Sequence, residues 1–307
     1  MNTFTFNAAD GSHVFARVWL PEPDQKTLAV VQIAHGMAEH SLRYDWFAEK
    51  LTAEGFAVYA NDHRGHGETA RTEDRLGHFG DVNGWDQVVD DMKSLNRKIC
   101  ETHENLPVFL FGHSMGSFLS RDYIAEHGSG LKGVILSGTA GDPGILGRIG
   151  LMIAKTQALL SGTKKPSPLM DKLSFGAYTK PFSPIRTPFD WLSRDCDQVD
   201  SYIKDPYCGY ICSAQFYADI ISGIIKINSM AHIERTPKNL PVFLFAGSMD
   251  PVGNFGKGVE ATHDAFKKTG LRDLHIKLYE DGRHEMLNEI NRDEVASDVI
   301  TWIKERI

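Results

Sequence analysis

Ser114 stands between two glycines in Gly112-His113-Ser114-Met115-Gly116, directly after the apolar run Pro107-Val108-Phe109-Leu110-Phe111. A serine hydroxyl is a weak nucleophile until a base takes its proton and a carboxylate holds that base in the right tautomer. The spacing suits such chemistry. A sharp turn from a buried strand into a helix lifts the hydroxyl clear of the sheet, and side chains two positions to either side would collide there. Phe118, Leu119, Tyr123 and Ile124 follow near helical spacing, so strand, turn and helix come in the required order.

Where a nucleophile sits on such a turn, the acid and the histidine follow it in the chain. The pentapeptide Pro-Val-Phe-Leu-Phe recurs at 241–245 and runs into Ala246-Gly247-Ser248-Met249-Asp250-Pro251-Val252, which puts Asp250 in the loop beyond a strand end. Leu274 to Tyr279 leads to Glu280-Asp281-Gly282-Arg283-His284-Glu285, where Gly282 is expected to allow the tight turn that brings His284 over Ser114. Asp250 is the expected acid and His284 the expected general base. Ser248 is not a second nucleophile, because Ala246 and Asp250 occupy the positions that need glycine. The oxyanion of an acyl-transfer intermediate needs backbone N–H donors fixed in advance. Those of Met115, after the nucleophile, and of Met37, in the loop after the strand Leu28 to Ala34, are the expected pair.

These residues need a sheet to hold them. Strand-like runs at His13 to Leu20, Leu28 to Ala34, Phe56 to Asn61, Leu106 to Phe111, Gly133 to Leu136, Pro241 to Ala246 and Leu274 to Tyr279 alternate with amphipathic segments. The alternation predicts an α/β fold with a mostly parallel central sheet flanked by helices. From about Thr139 to Pro237 the strand pattern gives way to helical apolar clusters, prolines and aromatics. The expected organisation is a core in two parts, 1–138 and 238–307, with a helical cap inserted over 139–237. Within it, Ile145 to Ala154 is apolar enough to line a substrate channel, to pack on the cap's own core or to make transient membrane-surface contact, while Arg148 and Lys155 prevent a span.

The 307 residues carry a formal net charge of -7, which gives no electrostatic footprint for nucleic acid. The first residues lack a basic region followed by an apolar stretch, and the expected location is cytoplasmic. The four cysteines, Cys100, Cys196, Cys208 and Cys212, are too scattered for a disulfide framework. Cys208-x-x-x-Cys212 would be half a zinc site without a second pair, and Asp62-His63-Arg64-Gly65-His66 would be a source of metal ligands or, more simply, a hydrogen-bonded loop under the site. Serine chemistry needs no metal and no cofactor, so none is expected.

Together, His35-Gly36-Met37-Ala38-Glu39-His40-Ser41-Leu42-Arg43-Tyr44, Asp62 to Gly67, the Ser114 pentapeptide, Asp250-Pro251-Val252 and Gly282-Arg283-His284-Glu285 resemble the monoacylglycerol lipase and lysophospholipase-like family of α/β-hydrolases, also called the serine aminopeptidase group. The resemblance implies an α/β-hydrolase sheet with a cap between its sixth and seventh strands. It also implies hydrolysis of carboxylic esters, often of glycerol or glycerophospholipid, and substrate-binding roles for Glu39, Arg43, Tyr44 and His113. Two positions depart from the pattern: Ala38 and Ser117 stand where many members carry glycine. The expected partner is a small ester or lipid. Aminopeptidase, acyltransferase, small-ester esterase and ligand-cup readings remain alongside.

Overall fold

A computed structural model of the chain describes residues 1–71 and 75–307. Its eight strands are β1 (Asn2–Asn7), β2 (His13–Trp19), β3 (Ala29–Ala34), β4 (Phe56–Asn61), β5 (Val108–His113), β6 (Gly133–Ser137), β7 (Val242–Gly247) and β8 (Leu274–Tyr279). They form one sheet in the order β1-β2-β4-β3-β5-β6-β7-β8. β2 runs antiparallel to β1 and β4, and the strands from β4 to β8 run parallel. β1 lies outside the strand-like runs named above. Its alternation Thr3-Phe4-Thr5-Phe6 is a period-two signal, and Phe6 is buried opposite Val14 of β2.

The helices are α1 (Asp45–Ala53), α2 (Gly67–Arg71), α3 (Gly84–Thr102), α4 (Met115–His127), α5 (Gly144–Ser161), α6 (Pro168–Phe175), α7 (Cys196–Lys204), α8 (Ala214–Ile227), α9 (Met230–Ile233), α10 (Lys257–Lys268) and α11 (Arg292–Lys304). Five of them, α5 to α9, lie between β6 and β7. The repeated pentapeptide is explained by the pleat. In β5 and β7 the phenylalanines Phe109, Phe111, Phe243 and Phe245 point to the side covered by α1 and α11, while Leu110 and Leu244 point to the side covered by α3 and α4. Interior parallel strands are covered on both faces, so each reads as a continuous apolar run.

α4 has no exposed stripe over most of its length: Met115 through Ala125 are all buried. The sheet lies beneath it, and α8 lies across its other side. Arg121 of α4 is buried in that junction and donates to the Ala140 carbonyl at 2.7 Å and to Asn228 Oδ1 at 2.8 Å, which tethers both ends of the β6–β7 segment to the helix that follows Ser114. α8 meets the start of α3 through two glycine contacts. A Cβ on Gly223 would fall 2.4 Å from the Trp85 ring, and one on Gly84 would fall 2.5 Å from Asp219 Oδ2.

Asp219 is the costly element of that junction. Gln215 Nε2 donates to its Oδ1, but Oδ2 is buried with no partner among the described residues, and burial pushes its pKa up to about 6. A carboxyl whose folded pKa is raised holds its proton more tightly in the native state, so stability falls as pH rises from the unfolded value through about 6. Asp219→Asn should therefore stabilise the protein by roughly 1–2 kcal/mol at about pH 7.5 and by almost nothing at about pH 4. Calorimetric melting at both pH values checks this; equal gains at the two would contradict it.

Candidate active site

The register of the sheet assembles the site. Ala34 pairs with Gly112 and His113 with Ser137, so the carboxyl ends of β3, β5 and β6 come together where α/β sheets place their ligands. Ser114 follows β5 with φ 52° and ψ −119°, a conformation rare for a side chain larger than glycine. The turn is held by Ser114 N–H donating to the Ser137 carbonyl and by the Ser114 carbonyl accepting from Ser117 and Phe118 N–H. The flanking glycines are required by contact. A Cβ on Gly112 would lie 2.4 Å from the Gly116 carbonyl oxygen, and one on Gly116 would lie 2.0 Å from the Ala34 carbonyl oxygen.

Asp250 and His284 arrive from the loops after β7 and β8. His284 Nδ1 is 2.9 Å from Asp250 Oδ2, and both side chains are buried. The carboxylate accepts the Nδ1 proton, which leaves Nε2 as the basic nitrogen. Burial by itself weakens this imidazole as a base; the Asp250 carboxylate, with Glu285 and Glu39 behind it, overrides burial and raises the His284 pKa. Asp250 is fixed in turn by Val252 N–H on Oδ1 at 2.9 Å.

The turn before His284 differs from expectation. Gly282 does not adopt a positive φ; Asp281 does, at 57°. Close approach accounts for the glycines instead: a Cβ on the facing Gly247 would fall 1.9 Å from the Gly282 carbonyl oxygen, and one on Gly282 would fall 2.6 Å from Met286 Sδ. Ser248 accepts Asp281 N–H at 2.9 Å, so its hydroxyl braces that turn.

Ser114, His284, Met37, Met115, Glu39 and His113 line one cavity of about 1150 Å³, whose remaining wall is mostly apolar and includes side chains of α5, α6 and α8. Among the described residues, the N–H groups of Met37 and Met115 have no protein partner. His113 donates or accepts at Ser137 Oγ over 3.1 Å, and its ring lies 4.8 Å from that of His284. Burial, reinforced by His284, lowers the His113 pKa to about 3, so this ring is neutral.

Arg43 and Tyr44 do not line the large cavity; they stand behind it, in a buried network. Glu39 accepts from Gly36 N–H, from Tyr44 OH at 2.9 Å and from Arg43 Nη1 at 2.7 Å, and Arg43 forks onto both oxygens of Glu285 at 2.7 Å. Burial opposes the charge on Glu285, and Arg43 outweighs it, holding the carboxyl ionised. The network joins the loop of Met37 to the loop of His284. Ala38 takes φ 51°, which explains a preference for glycine there, and Ser117 donates its hydroxyl to the Ser114 carbonyl at 2.6 Å.

Several site neighbours carried no signal in the sequence. Gly138, at φ 61°, passes so close that a Cβ would sit 3.0 Å from His284 Cε1. Trp191 lies 5.2 Å ring to ring from His284 and is stacked on Phe175 at 5.9 Å. The same segment accepts Glu285 N–H on the Leu192 carbonyl at 2.8 Å and pairs Arg194 with Glu289 at 2.9 Å. The Asp62 to Gly67 loop is a brace. Asp62 accepts from Arg17, from Ser41 and from Glu68 N–H, and His35, His63 and His66 are buried with pKa values lowered first by burial.

A family model described as serine aminopeptidase, S33, matches residues 25–291. A monoacylglycerol lipase of Mycolicibacterium smegmatis is 28% identical over 97% of this chain and 95% of its own, and a monoglyceride lipase of Rattus norvegicus is 30% identical over 97% of this chain and 89% of its own. Among solved structures, a thermostable carboxyl esterase from Bacillus coagulans in complex with glycerol superposes with a TM-score of 0.92 at 32% identity, covering 99% of this chain and 98% of the other. The fold is that of the α/β-hydrolases, and the chain belongs to the S33 serine aminopeptidase family and is a serine hydrolase of the monoglyceride lipase type.

Proposed function

We propose that the protein hydrolyses carboxylic esters of the monoacylglycerol or lysophospholipid kind through a Ser114-His284-Asp250 triad. The observation that carries the reading is His284 Nδ1 held 2.9 Å from Asp250 in the same cavity that Ser114 enters from its strained turn. Ser114 Oγ attacks the acyl carbonyl while His284 Nε2 takes its proton and then returns it to the leaving alcohol. The N–H groups of Met37 and Met115 receive the oxyanion, and water resolves the acyl-enzyme with His284 again as base.

The substrate class rests on three supports. The relatives include monoacylglycerol lipases, and a similar esterase was solved with glycerol. The cavity is mostly apolar and exceeds the ~300–1,000 Å³ usual for small-ligand sites. An aminopeptidase would need a free carboxylate near Ser114 for the substrate's amino terminus, and Glu39 and Glu285, which the loops bearing Met37 and His284 bring to the cavity, are both engaged by Arg43.

In this reading residues 139–237 act as a cap, between core parts 1–138 and 238–307, and meet lipid surfaces. α5 exposes Ile145, Leu146, Met152, Leu159 and Leu160 at 65–84% of their area. No helix among the described residues is long and apolar enough to cross a membrane, so contact would be superficial.

Ser114→Ala should abolish turnover of matched monoacylglycerol, lysophospholipid and nitrophenyl esters without changing the circular dichroism; residual native-level hydrolysis would refute the triad. Because His284 must be neutral to act as base, activity should fall as pH drops through its raised pKa. Asp250→Asn should move that acid limb to lower pH and cut the plateau about 10⁴-fold. Replacing Leu159 and Leu160 together by Asp should weaken binding to phospholipid vesicles severalfold while a soluble short-chain ester is still turned over; unchanged co-sedimentation would sink the surface role.

A further inference from the structure

We propose that His40, Asp205 and Cys208 form a site for one divalent cation of the zinc type, which would lock the loop bearing Met37 to the β6–β7 segment. The three come from distant parts of the chain, yet one ligand atom of each lies within 4.8 Å of the others. His40 Nε2 is already 2.9 Å from Asp205 Oδ2. A tetrahedral ion with bonds of ~2.0–2.3 Å needs its ligand atoms ~3.3–3.8 Å apart, so small side-chain movements convert this hydrogen-bonded pair and the neighbouring thiol into a first shell.

The donor set has the chemistry for such an ion. Imidazole and thiolate suit zinc and cobalt, and a single carboxylate completes three protein ligands, with water for the fourth position. On binding, Cys208 releases its thiol proton to solvent and forms a metal–sulfur bond, while the His40 proton moves from Nε2 to Nδ1 so that Nε2 can coordinate. The divalent charge is then balanced by one thiolate and one carboxylate, as a largely buried site requires. Arg43 is nearby, but its charge is already matched by Glu39 and Glu285. Asp205 is 31% exposed at its side chain, which gives the ion a path in.

Neighbouring groups make less suitable sites. Cys212, four residues on, does not join Cys208 in a ligand set, so the sequence spacing alone points to the wrong partner. Asp122, Glu126 and His232 also converge, but Lys226 and Trp85 occupy Asp122, and Arg235 occupies Glu126. The His40 site joins two pieces already in contact. The Ala38 carbonyl accepts Gly209 N–H at 3.0 Å and Tyr202 OH at 3.0 Å, and His40 is two residues further along the same loop. A bound ion adds a stronger link between them and raises the melting temperature by mass action.

The test is a titration of Co²⁺ into the full chain after treatment with a chelator. One equivalent should bind, with a near-ultraviolet thiolate-to-cobalt charge-transfer band and the visible spectrum of a four-coordinate ion, and Zn²⁺ should displace it. Cys208→Ser should lose the band, and Asp205→Asn should bind about tenfold or more weakly. Cys196→Ser, at an exposed cysteine, should match the native chain. No charge-transfer band in the native protein, or a band that survives Cys208→Ser, overturns the proposal. Inhibition of ester hydrolysis by Zn²⁺ that is equally strong in Cys208→Ser also overturns it, because the ion would then sit on His284. Asp205→Asn, at a partly exposed side chain, carries the test if Cys208→Ser does not fold.

Discussion

The close crossing of β5 and α4 against β3 is the constraint on which the rest depends. The turn at Ser114 brings Gly116 so near the Ala34 and His35 carbonyls that no Cβ fits, and Gly112 meets the carbonyl of Gly116 in the same way. That approach fixes where α4 starts, and Ser114 and Met115 line the same cavity. It also costs free energy, because Ser114 is held at φ 52°. Strain of this kind persists only where the surroundings over-determine it, and α4 is covered by the sheet below and α8 above.

Buried charge then organises the loops around that turn. Glu39, Arg43 and Glu285 share one low-dielectric space in which any single member would be costly, while all three together satisfy one another. Because Glu285 follows His284 and Glu39 follows Met37 by two residues, the same ion pairs set the distance between the histidine loop and the loop of Met37. Asp62 does the equivalent from below. It is buried, it takes Arg17 as counter-ion, and it collects the Ser41 and Glu68 N–H groups, so its loop is a floor.

The β6–β7 segment is more than a cover. Its inner half, α8 with Arg121 of α4, packs as part of the hydrophobic core, and residues 190–194 are hydrogen-bonded to the His284 loop. Trp191 and His113 both pack against the His284 ring, at 5.2 and 4.8 Å between centroids. Its outer half, α5 and α6, turns large apolar side chains toward solvent and toward the cavity. The division follows from how many faces are covered: α8 is covered by α3, α4 and α5, whereas α5 packs on α8 and touches the short α6.

Ser114, Asp250 and His284, the parallel strands that deliver them and the long β6–β7 segment could be read in the sequence, because each has a local cause. A glycine is needed within two residues of Ser114 on its turn, interior parallel strands must be apolar throughout, and a strand end must precede each loop that carries a proposed catalytic residue. β1 carried its own alternation and could have been read the same way. Arg43 and Glu285, by contrast, stand in two separate motifs, and nothing in either says that they pair. Their pairing depends on two loops separated by 242 positions meeting at one end of the sheet. Trp191, Gly138 and the trio of His40, Asp205 and Cys208 are likewise products of that meeting. Local sequence dictated which residue types a turn or strand would accept; only the tertiary structure decided which distant side chains would share a buried space, because burial turns chance proximity into obligatory pairing.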